Sequence, residues 1–563
     1  MNGRAMLAGL VVVTSSGVLA AAGCRSHDDI VPPPSADQAT QSVRSSLPEP
    51  VALPDLSAAD AFVSEQIRAQ HASMMTIVET PGTSPDAIGE AYGEMAKLLM
   101  AAAFLDAAES YLQQAQVYLP DDTRWPYYLG HLYATTGALA ESVAAFEEVL
   151  RLRSDDVVAM ISLGDVRLLQ GQPEAAETLF RRQLTLQPDS VVANVGLGRA
   201  ALARNDYARA VRHLEESLRL SQDTAVGVHY PLALVYRGLG EQEKAEEHMR
   251  QRADVGILPA DPLMEELGEL LQSPQAHQER GNRALSQRKW AVAAEHFQKG
   301  LALAPTDPTL RHRLGTALFQ MGDPTGAAAH FEQVLQTSPD YALAHFSLGV
   351  LLEGAGLRQE AIERLEAAVQ YDPDYVEARL GLASLLRRQG RLEESLSQYE
   401  QVTQQQPVSG DPRFEEAPFG HAVTLVRMGR YADARVRLVD GMAAYPGQPF
   451  FAHALARLLS GVPDDAVRDG QRALTLLQAL PEELRIFLDF GESMAMTLAE
   501  VGQFTEATTL QREAIALATR GGREDLVPRM REKLTRYEHG QPWRSEDPVE
   551  FDPFLERSSG AIR

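Results

Sequence analysis

The chain contains very little cysteine, with one residue, Cys24, among 563. A single thiol excludes an internal disulfide bond, and it excludes every metal or haem site that is built from paired cysteines. Disulfides therefore give no information on whether the protein is exported. That inference has to come from the first residues of the sequence.

Aromatic residues and positive charges are also scarce. Aromatic residues make up 6% of the chain, and 52 Lys and Arg stand against 77 Asp and Glu. The formal net charge of −25 repels phosphate backbones, so we expect no nucleic-acid partner. Hydrophobic residues reach 45%, which with so few rings favours helices packed closely through small aliphatic side chains. The length exceeds that of one compact core and indicates several domains or a repeat array.

The N-terminus lacks an apolar run long enough for a permanent membrane span. Residues 6–13 and 18–22 are apolar, but a Thr-Ser-Ser-Gly sequence at 14–17 separates them. A span needs roughly 20 unbroken apolar residues. One positive charge at Arg4, a short apolar core and small residues at its end are typical of a secretory signal peptide, which we assign to residues 1–23.

The single cysteine directly follows this segment. The sequence AAGC at 21–24 resembles the lipobox of bacterial lipoproteins, in which signal peptidase cuts before the cysteine and the cysteine is then acylated. The resemblance implies a lipid anchor at Cys24, and Arg25 in the next position implies an outer-membrane lipoprotein that faces the periplasm. The alternative is ordinary cleavage after Ala22, which gives a soluble periplasmic or secreted protein. Residues 24–56 are rich in Pro, Ser and Asp without an apolar period, which predicts a flexible tether.

From about residue 89 the sequence repeats itself with a period of about 34 residues. The adjacent segments 157–190 and 191–224 match at small and apolar positions, and the same template fits three consecutive blocks over 308–409. We therefore expect about ten clear units and two degenerate ones. The units start near residues 89, 123, 157, 191, 226, 274, 308, 342, 376, 415, 449 and 488.

The third unit contains a Leu-Gly pair, a later Ala-x-x-x-Phe and a closing Pro at Leu163, Gly164, Ala176, Phe180 and Pro188, and the seventh unit contains the same pattern at Leu314, Gly315, Ala327, Phe331 and Pro339. This pattern resembles the tetratricopeptide repeat (TPR) family. The resemblance implies an all-α fold, a TPR superhelical solenoid of about 12 helix-turn-helix repeats with terminal capping helices. The small residues at positions 8 and 20 of each unit are expected where its two helices approach most closely.

Breaks in the period predict the organisation of the chain. An insertion between the fifth and sixth units indicates a short helix at a bend or at a seam between two sub-arrays. The tail contains Trp543, Phe551 and Phe554, and it has two interpretations: a strap over the last repeat, or a docking motif for another protein. The predicted segments are a signal peptide (1–23), the lipidated cysteine and tether (24–56), an N-terminal capping helix (57–88), a first TPR array (89–259), a connecting segment (260–273), a second array (274–409), a degenerate third array (415–520), and a C-terminal capping helix with the tail (521–563).

No sequence pattern predicts catalysis. The string GLGRAA at 196–201 falls on the first helix of a repeat, whereas a dinucleotide-binding fingerprint must follow a strand. The string GESMA at 491–495 places Ser493 inside a helix pair, whereas a nucleophile elbow needs a strand-turn-helix setting. The 14 histidines lack metal-ligand spacing. We therefore expect no enzymatic activity, no cofactor and no metal.

In the TPR family the first helix of each unit lines the inner face of the superhelix, with positions 2, 5, 6, 9, 12 and 13 pointing inward. Here these positions hold arginines and aromatic residues, which suit the capture of an extended peptide or a carboxylate. A role limited to packing or solvating the groove is the alternative. The predicted partner-binding residues are Arg124, Tyr127, Tyr128, His131, Arg199, Tyr230, Arg237, His312, Arg313, Phe319, Phe346, Arg387 and Arg388.

The resemblance to TPR proteins implies a function in protein–protein interaction. We expect a non-enzymatic scaffold that is anchored to the membrane through its N-terminal lipid and binds a protein or peptide in a concave groove. The alternatives are a secretion or envelope-assembly accessory factor and an accessory subunit of a carbohydrate-active or redox system.

Overall fold

A computed structural model describes residues 51–221, 226–251, 261–405, 413–481 and 487–547. The predicted signal peptide, Cys24 and most of the tether lie outside the described residues, as do Phe551 and Phe554 of the tail. Within the described ranges the chain forms 27 α-helices and no strand, so the predicted all-α class is confirmed. No helix in this part of the chain has both the length and the hydrophobicity to cross a bilayer.

The described chain forms two compact units, one comprising 51–59 and 67–270 and the other comprising 60–66 and 271–547. Helix α1 spans Ala61–Glu79, within the predicted N-terminal capping segment. The first unit continues with α2 (Pro85–Ala101), α3 (Leu105–Tyr118), α4 (Arg124–Thr136), α5 (Leu139–Leu152), α6 (Val157–Leu169), α7 (Pro173–Leu186), α8 (Val191–Ala203), α9 (Tyr207–Leu220), a 3-10 turn (Val226–Val228), α10 (His229–Leu239), α11 (Gln242–Arg250) and α12 (Pro262–Glu269).

The second unit is a further series of helix pairs. Its helices are α13 (Pro274–Ser286), α14 (Trp290–Leu303), α15 (Pro308–Gln320), α16 (Pro324–Thr337), α17 (Ala342–Gly354), α18 (Arg358–Tyr371), α19 (Val376–Arg388), α20 (Leu392–Gln404), α21 (Arg413–Arg427), α22 (Tyr431–Ala444), α23 (Pro449–Gly461), α24 (Gly470–Gln478), α25 (Leu488–Glu500), α26 (Phe504–Arg520) and α27 (Val527–Glu538). The first helix of each pair begins within a few residues of a predicted unit start.

Local sequence sets the ends of these helices, as the third unit illustrates. Asp156 is the N-cap of α6, where its side chain accepts a hydrogen bond from the Ala159 backbone N–H at 3.0 Å. Gly171 follows this helix with φ +72°, a left-handed conformation that glycine adopts without strain. Pro173 occupies the first position of α7, where its missing N–H costs no helical hydrogen bond. The next unit then begins at Val191.

The hydrophobic core is divided into clusters along the array, and neighbouring repeats share them. Ala176 and Phe180 are completely buried, and they pack with Ile161 of the same repeat and Leu197 of the next. Ala327 is buried in the same way in the seventh unit. Full burial of a side chain such as Phe180 stabilises the fold by about 1.5–3 kcal/mol, so a series of such clusters holds the repeats together.

Candidate functional site

A cavity of about 680 Å³ lies in the second unit against α13 and α15, the first helices of two successive repeats. Its wall includes positions 9, 12 and 13 of one repeat and positions 6, 9 and 13 of the next, which are positions predicted to face inward. The lining residues include Asn282, Leu285, Trp290, Arg313, Thr316 and Gln320.

Two polar side chains that line this cavity have groups without a partner among the described residues. The Oδ1 atom of Asn282 is buried and accepts no hydrogen bond from any residue that the structure describes. Arg313 is half-buried, and its guanidinium forms no ion pair with another described residue. A buried acceptor without a partner is unfavourable, so a ligand gains affinity if the Asn282 side chain turns toward the cavity and accepts a hydrogen bond from it. The guanidinium fork suits a carboxylate.

A second cavity of about 560 Å³ lies farther along the same unit. Phe319, Val350 and Glu353 line it together with Arg388, whose guanidinium pairs with the Glu353 carboxylate of the preceding repeat. Phe319 and Arg388 therefore lie on a cavity wall, and a role for them in partner binding stays a prediction. The charge of Arg388 is already neutralised.

The prediction that position 5 faces an open groove is wrong. His312 and Phe346 occupy this position and are buried, with 7% and 4% of their surfaces exposed. The His312 ring lies 5.0 Å from the ring of Phe331, in the second helix of its repeat, and its Nε2 lies 2.9 Å from Ser347 Oγ. Position 5 precedes the position-8 glycine by three residues, so both lie on the face that packs against the second helix. His312 and Phe346 are core residues.

Arg387 also differs from the prediction of an open groove. It is 4% exposed, and its backbone carbonyl accepts a hydrogen bond from Arg427 Nη1 at 3.5 Å. Arg427 in turn pairs with Asp547 of the tail, with 3.1 Å between Nε and Oδ2. Arg427 therefore links Arg387, a residue of the inner row (the predicted inward-facing positions of the first helices), to the C-terminal residues of the chain.

These C-terminal residues form a strap, residues 541–547, across the last three repeats. Trp543 is buried, the Ser545 backbone N–H donates to the Gly461 carbonyl at 2.8 Å, and the Glu546 carbonyl accepts from the Tyr431 hydroxyl at 3.1 Å. Burial raises the pKa of Asp547 above its ordinary value although Arg427 is adjacent. In the described part of the tail, the strap interpretation is therefore the one that the contacts favour.

In the first unit, the predicted groove residues are covered by residues 261–269. Tyr127 and Tyr128 are buried, and their hydroxyls donate to the Asp261 carboxylate and to the Leu263 carbonyl, the latter at 3.2 Å. His131 Nε2 lies 3.9 Å from the same carboxylate. The expectation of an open groove at these residues is wrong, because the segment that connects the two arrays lies in it.

The other predicted residues of the first unit fall into two groups. Arg124 pairs with Glu90 and with Asp122, the latter at 2.6 Å, and Arg199 pairs with Asp165 of the preceding repeat at 2.7 Å. Their charges are therefore neutralised within the unit. Tyr230 and Arg237 are exposed, and a role for them in partner binding stays a prediction.

No sequence pattern predicted the contact between His453 and Ser493 in the second unit. His453 Nε2 lies 2.7 Å from Ser493 Oγ, which also accepts from Arg457 Nη1 at 2.9 Å and donates to the Asp489 carbonyl at 2.6 Å. Ser493 is fully buried inside α25, so a substrate cannot reach it. His453 and Ser493 lie on different repeats, and no local motif joins them. The described residues contain no cluster of three potential metal ligands.

Comparison with known families agrees with this architecture. Models described as tetratricopeptide repeat match residues 94–157, 140–191, 167–227, 226–251, 278–342, 312–363, 352–414 and 492–520. Together these matches span more than half of the chain. The chain belongs to the tetratricopeptide repeat family.

Several solved structures are similar to parts of the chain. MamA 41-end from Desulfovibrio magneticus RS-1 is 20% identical over 29% of this chain and 92% of its own, with a TM-score of 0.28. YrrB, described as a TPR protein with an unusual peptide-binding site, is 20% identical over 42% and 95%, with a TM-score of 0.18. The P58(IPK) TPR domain is 14% identical over 74% and 98%, with a TM-score of 0.21. No curated protein matches the chain.

Proposed function

We propose that this chain is a non-enzymatic interaction scaffold that binds an extended peptide of a partner protein along the inner row of its second unit. The observation that carries the proposal is the cavity of about 680 Å³ in which the buried Oδ1 of Asn282 has no partner among the described residues. Groups that are buried in a protein interior are almost always hydrogen-bonded. An unsatisfied acceptor on a cavity wall therefore supports a site that a ligand completes.

The chemistry of the cavity favours a peptide that contains an acidic residue. Asn282 can accept a backbone N–H, and Arg313 can bind a carboxylate through two parallel hydrogen bonds. Leu285 and Trp290 supply apolar surface beside these polar groups. Pockets that bind ligands combine apolar surface with convergent polar groups, and this cavity offers both.

The experiment selects peptides from a random library on the wild-type chain and then measures their affinity for variants. We expect Arg313→Glu to weaken acidic peptides at least tenfold, about 1.4 kcal/mol, because the variant repels the carboxylate. Asn282→Leu should weaken them too, because it removes the acceptor. Arg283→Glu is the control for the change of charge, since Arg283 is exposed on α13 beside Asn282 and does not line the cavity. Equal affinities for the wild-type and the Arg313→Glu chain would contradict the proposal.

The location of the scaffold forms the second part of the proposal. An acylated Cys24 would attach the chain to the periplasmic face of the outer membrane, and each buried acyl methylene contributes about 0.8 kcal/mol. We expect Cys24→Ala to release the protein from the membrane fraction and globomycin to make the precursor accumulate. If the variant stays in the membrane fraction, the lipid anchor is absent.

A further inference from the structure

The inner row of the first unit binds a segment of the chain itself, residues 261–269, which we call the plug segment. Its first residue, Asp261, accepts a hydrogen bond from the Tyr127 hydroxyl. The carbonyl of Leu263 accepts from the Tyr128 hydroxyl at 3.2 Å, and the Glu266 carboxylate pairs with Lys97 Nζ at 2.6 Å. These contacts join residues more than 100 positions apart in sequence, so they form a binding interface rather than a local turn.

The plug segment is amphipathic. Leu263 and Met264 pack against the cluster that contains Tyr127 and Phe146, and Leu267 is buried. Residues at i, i+1 and i+4 share one face of a helix, so these three apolar side chains form the bound face. Glu265 and Glu266, together with Gly268 and Glu269, are exposed.

The groove provides polar partners for two acidic side chains of the plug segment. Asp261 caps α12 by accepting from the Met264 backbone N–H at 3.1 Å, and the same carboxylate contacts Tyr127. Lys97 is 4% exposed and pairs with Glu94 of its own helix at 2.7 Å as well as with Glu266. A buried ammonium requires acidic partners, and the plug segment supplies one of the two.

The plug helix depends on the groove for its stability. Helix α12 has 8 residues, and isolated helices shorter than about 12–15 residues are marginal in water. The same segment outside the groove would therefore lose most of its helical structure. Exchange between a bound and an unbound segment requires no unfolding of the repeats, whose helices pack on one another.

We propose that this groove is a recognition site for a short acidic amphipathic helix of a partner protein, and that the plug segment occupies it until such a helix displaces it. The partner helix needs an aspartate at its N-cap and two adjacent apolar residues that follow the aspartate directly or after a proline. It also needs a glutamate about one turn after the first of these apolar residues. The site lies in the first unit and does not depend on the cavity at Asn282 and Arg313.

The covalent attachment of the plug segment sets the strength of the competition. A tethered segment acts at an effective concentration in the millimolar range. If the same peptide binds an empty groove with a dissociation constant near 10 μM, the tethered copy weakens its apparent affinity by roughly 100-fold. Releasing the plug segment should therefore strengthen the apparent affinity for the peptide by the same factor.

The test uses the full chain and an acetylated, fluorescent peptide of residues 261–270. The release variant carries Leu263→Glu and Leu267→Glu, which remove the apolar contacts of the plug segment and leave the groove intact. We expect it to bind the peptide about 100-fold more tightly than the wild-type chain does. Adding Lys97→Glu should weaken binding at least tenfold, and a peptide with Glu266→Lys should recover the loss, which a purely structural role of Lys97 does not predict.

Three results would overturn the proposal. Equal affinity of the wild-type chain and the folded release variant would show that the plug segment does not compete. No effect of Lys97→Glu would place the peptide elsewhere. A dimer that grows with concentration and dissociates on peptide addition would assign the groove to a second copy of this chain.

A measurement on the wild-type chain keeps the test decisive if the release variant does not fold. Saturating peptide should accelerate amide hydrogen exchange in α12, because displacement frees that helix. Norleucine in place of Met264 in the peptide separates its fragments by mass from those of the chain. Unchanged exchange in α12 with bound peptide would rule out displacement.

Discussion

The ring of Phe180 lies directly against Gly164 of its own repeat. A Cβ added to Gly164 would lie 2.6 Å from Cε1 of that ring, and a Cβ on Gly196 of the next repeat would lie 2.6 Å from the same atom. Real Cβ atoms essentially never approach a carbon so closely. One ring therefore fixes the distance between the two helices of a repeat and the distance to the following repeat.

Gly164→Ala should destabilise the chain, because the ring of Phe180 cannot move without opening a void. We expect a loss of about 1–3 kcal/mol, which is typical of an overpacked core. Gly381→Ala is the control, since its Cβ would lie 3.6 Å from the nearest atom, an ordinary contact. That variant should gain about 0.5–1 kcal/mol from the better helix propensity of alanine. Urea unfolding followed by circular dichroism measures the free energy of unfolding of both variants. Equal changes in the two variants would contradict the close-contact explanation.

His312 should make the stability of the second unit depend on pH. Burial, with a contribution from Arg313, lowers the pKa of His312 from 6.5 to about 4. The unfolded chain therefore binds this proton more readily, so the stabilisation is complete above pH 6.5 and falls as the pH drops toward 4. The contribution of His312 to the slope of the unfolding free energy against pH approaches about 1.4 kcal/mol per pH unit.

Urea unfolding between pH 4 and 7 measures this slope, and His312→Asn should reduce it. The same substitution at His539, which is exposed after α27, serves as the control for replacing a histidine. An identical pH profile for wild type and His312→Asn would refute the prediction.

Lys533 and Glu492 form a buried ion pair that should behave as a unit. Their charged atoms lie 3.1 Å apart, and the side chains are 3% and 10% exposed. Lys533→Met alone should cost about 3–5 kcal/mol, because it leaves a buried carboxylate without its partner. The double variant with Glu492→Leu should recover most of that loss. A double-mutant cycle by urea unfolding tests this, and additive single effects would contradict it.

Trp543 should stabilise the chain in the absence of any partner. It is 8% exposed, and the cationic groups of Arg529, Lys533 and Arg536 lie within 5.9 Å of its ring centroid. Trp543→Ala should lower the free energy of unfolding by about 3–5 kcal/mol. The matched control is Phe487→Ala, since Phe487 is 57% exposed. A Trp543→Ala chain with unchanged stability would favour the docking-motif interpretation of the tail.

The repeat architecture could be predicted from the sequence because its determinants are local. Leu163 and Gly164, with Ala176 and Phe180, recur at fixed spacing, and the helices begin close to the predicted unit starts. Arg313 and Phe319 line cavities, and a role for them in partner binding stays a prediction, whereas the open-groove prediction is wrong for the buried His312 and Phe346. The error arose because the helical period alone does not show how wide a face the second helix covers.

The occupants of the inner row could not be predicted from the sequence. The connecting segment was expected to contain a short helix, and Pro262–Glu269 forms one, but the contact of its N-cap Asp261 with Tyr127 spans 134 positions. The path of the strap from Trp543 to Asp547 depends in the same way on distant partners such as Arg427. Repeat periodicity describes contacts between neighbours, and both segments contact units that are not their neighbours in sequence.

The strap has a consequence for the direction in which the protein comes apart. In a linear array each repeat touches only its neighbours, so the terminal repeats detach first. Here Ser545, Glu546 and Asp547 bind Gly461, Tyr431 and Arg427, so that loosening the final helices also breaks bonds two repeats upstream. Fraying is thereby suppressed at the C-terminal end, so the apolar surfaces that invite proteolysis or aggregation are expected to open first away from that end.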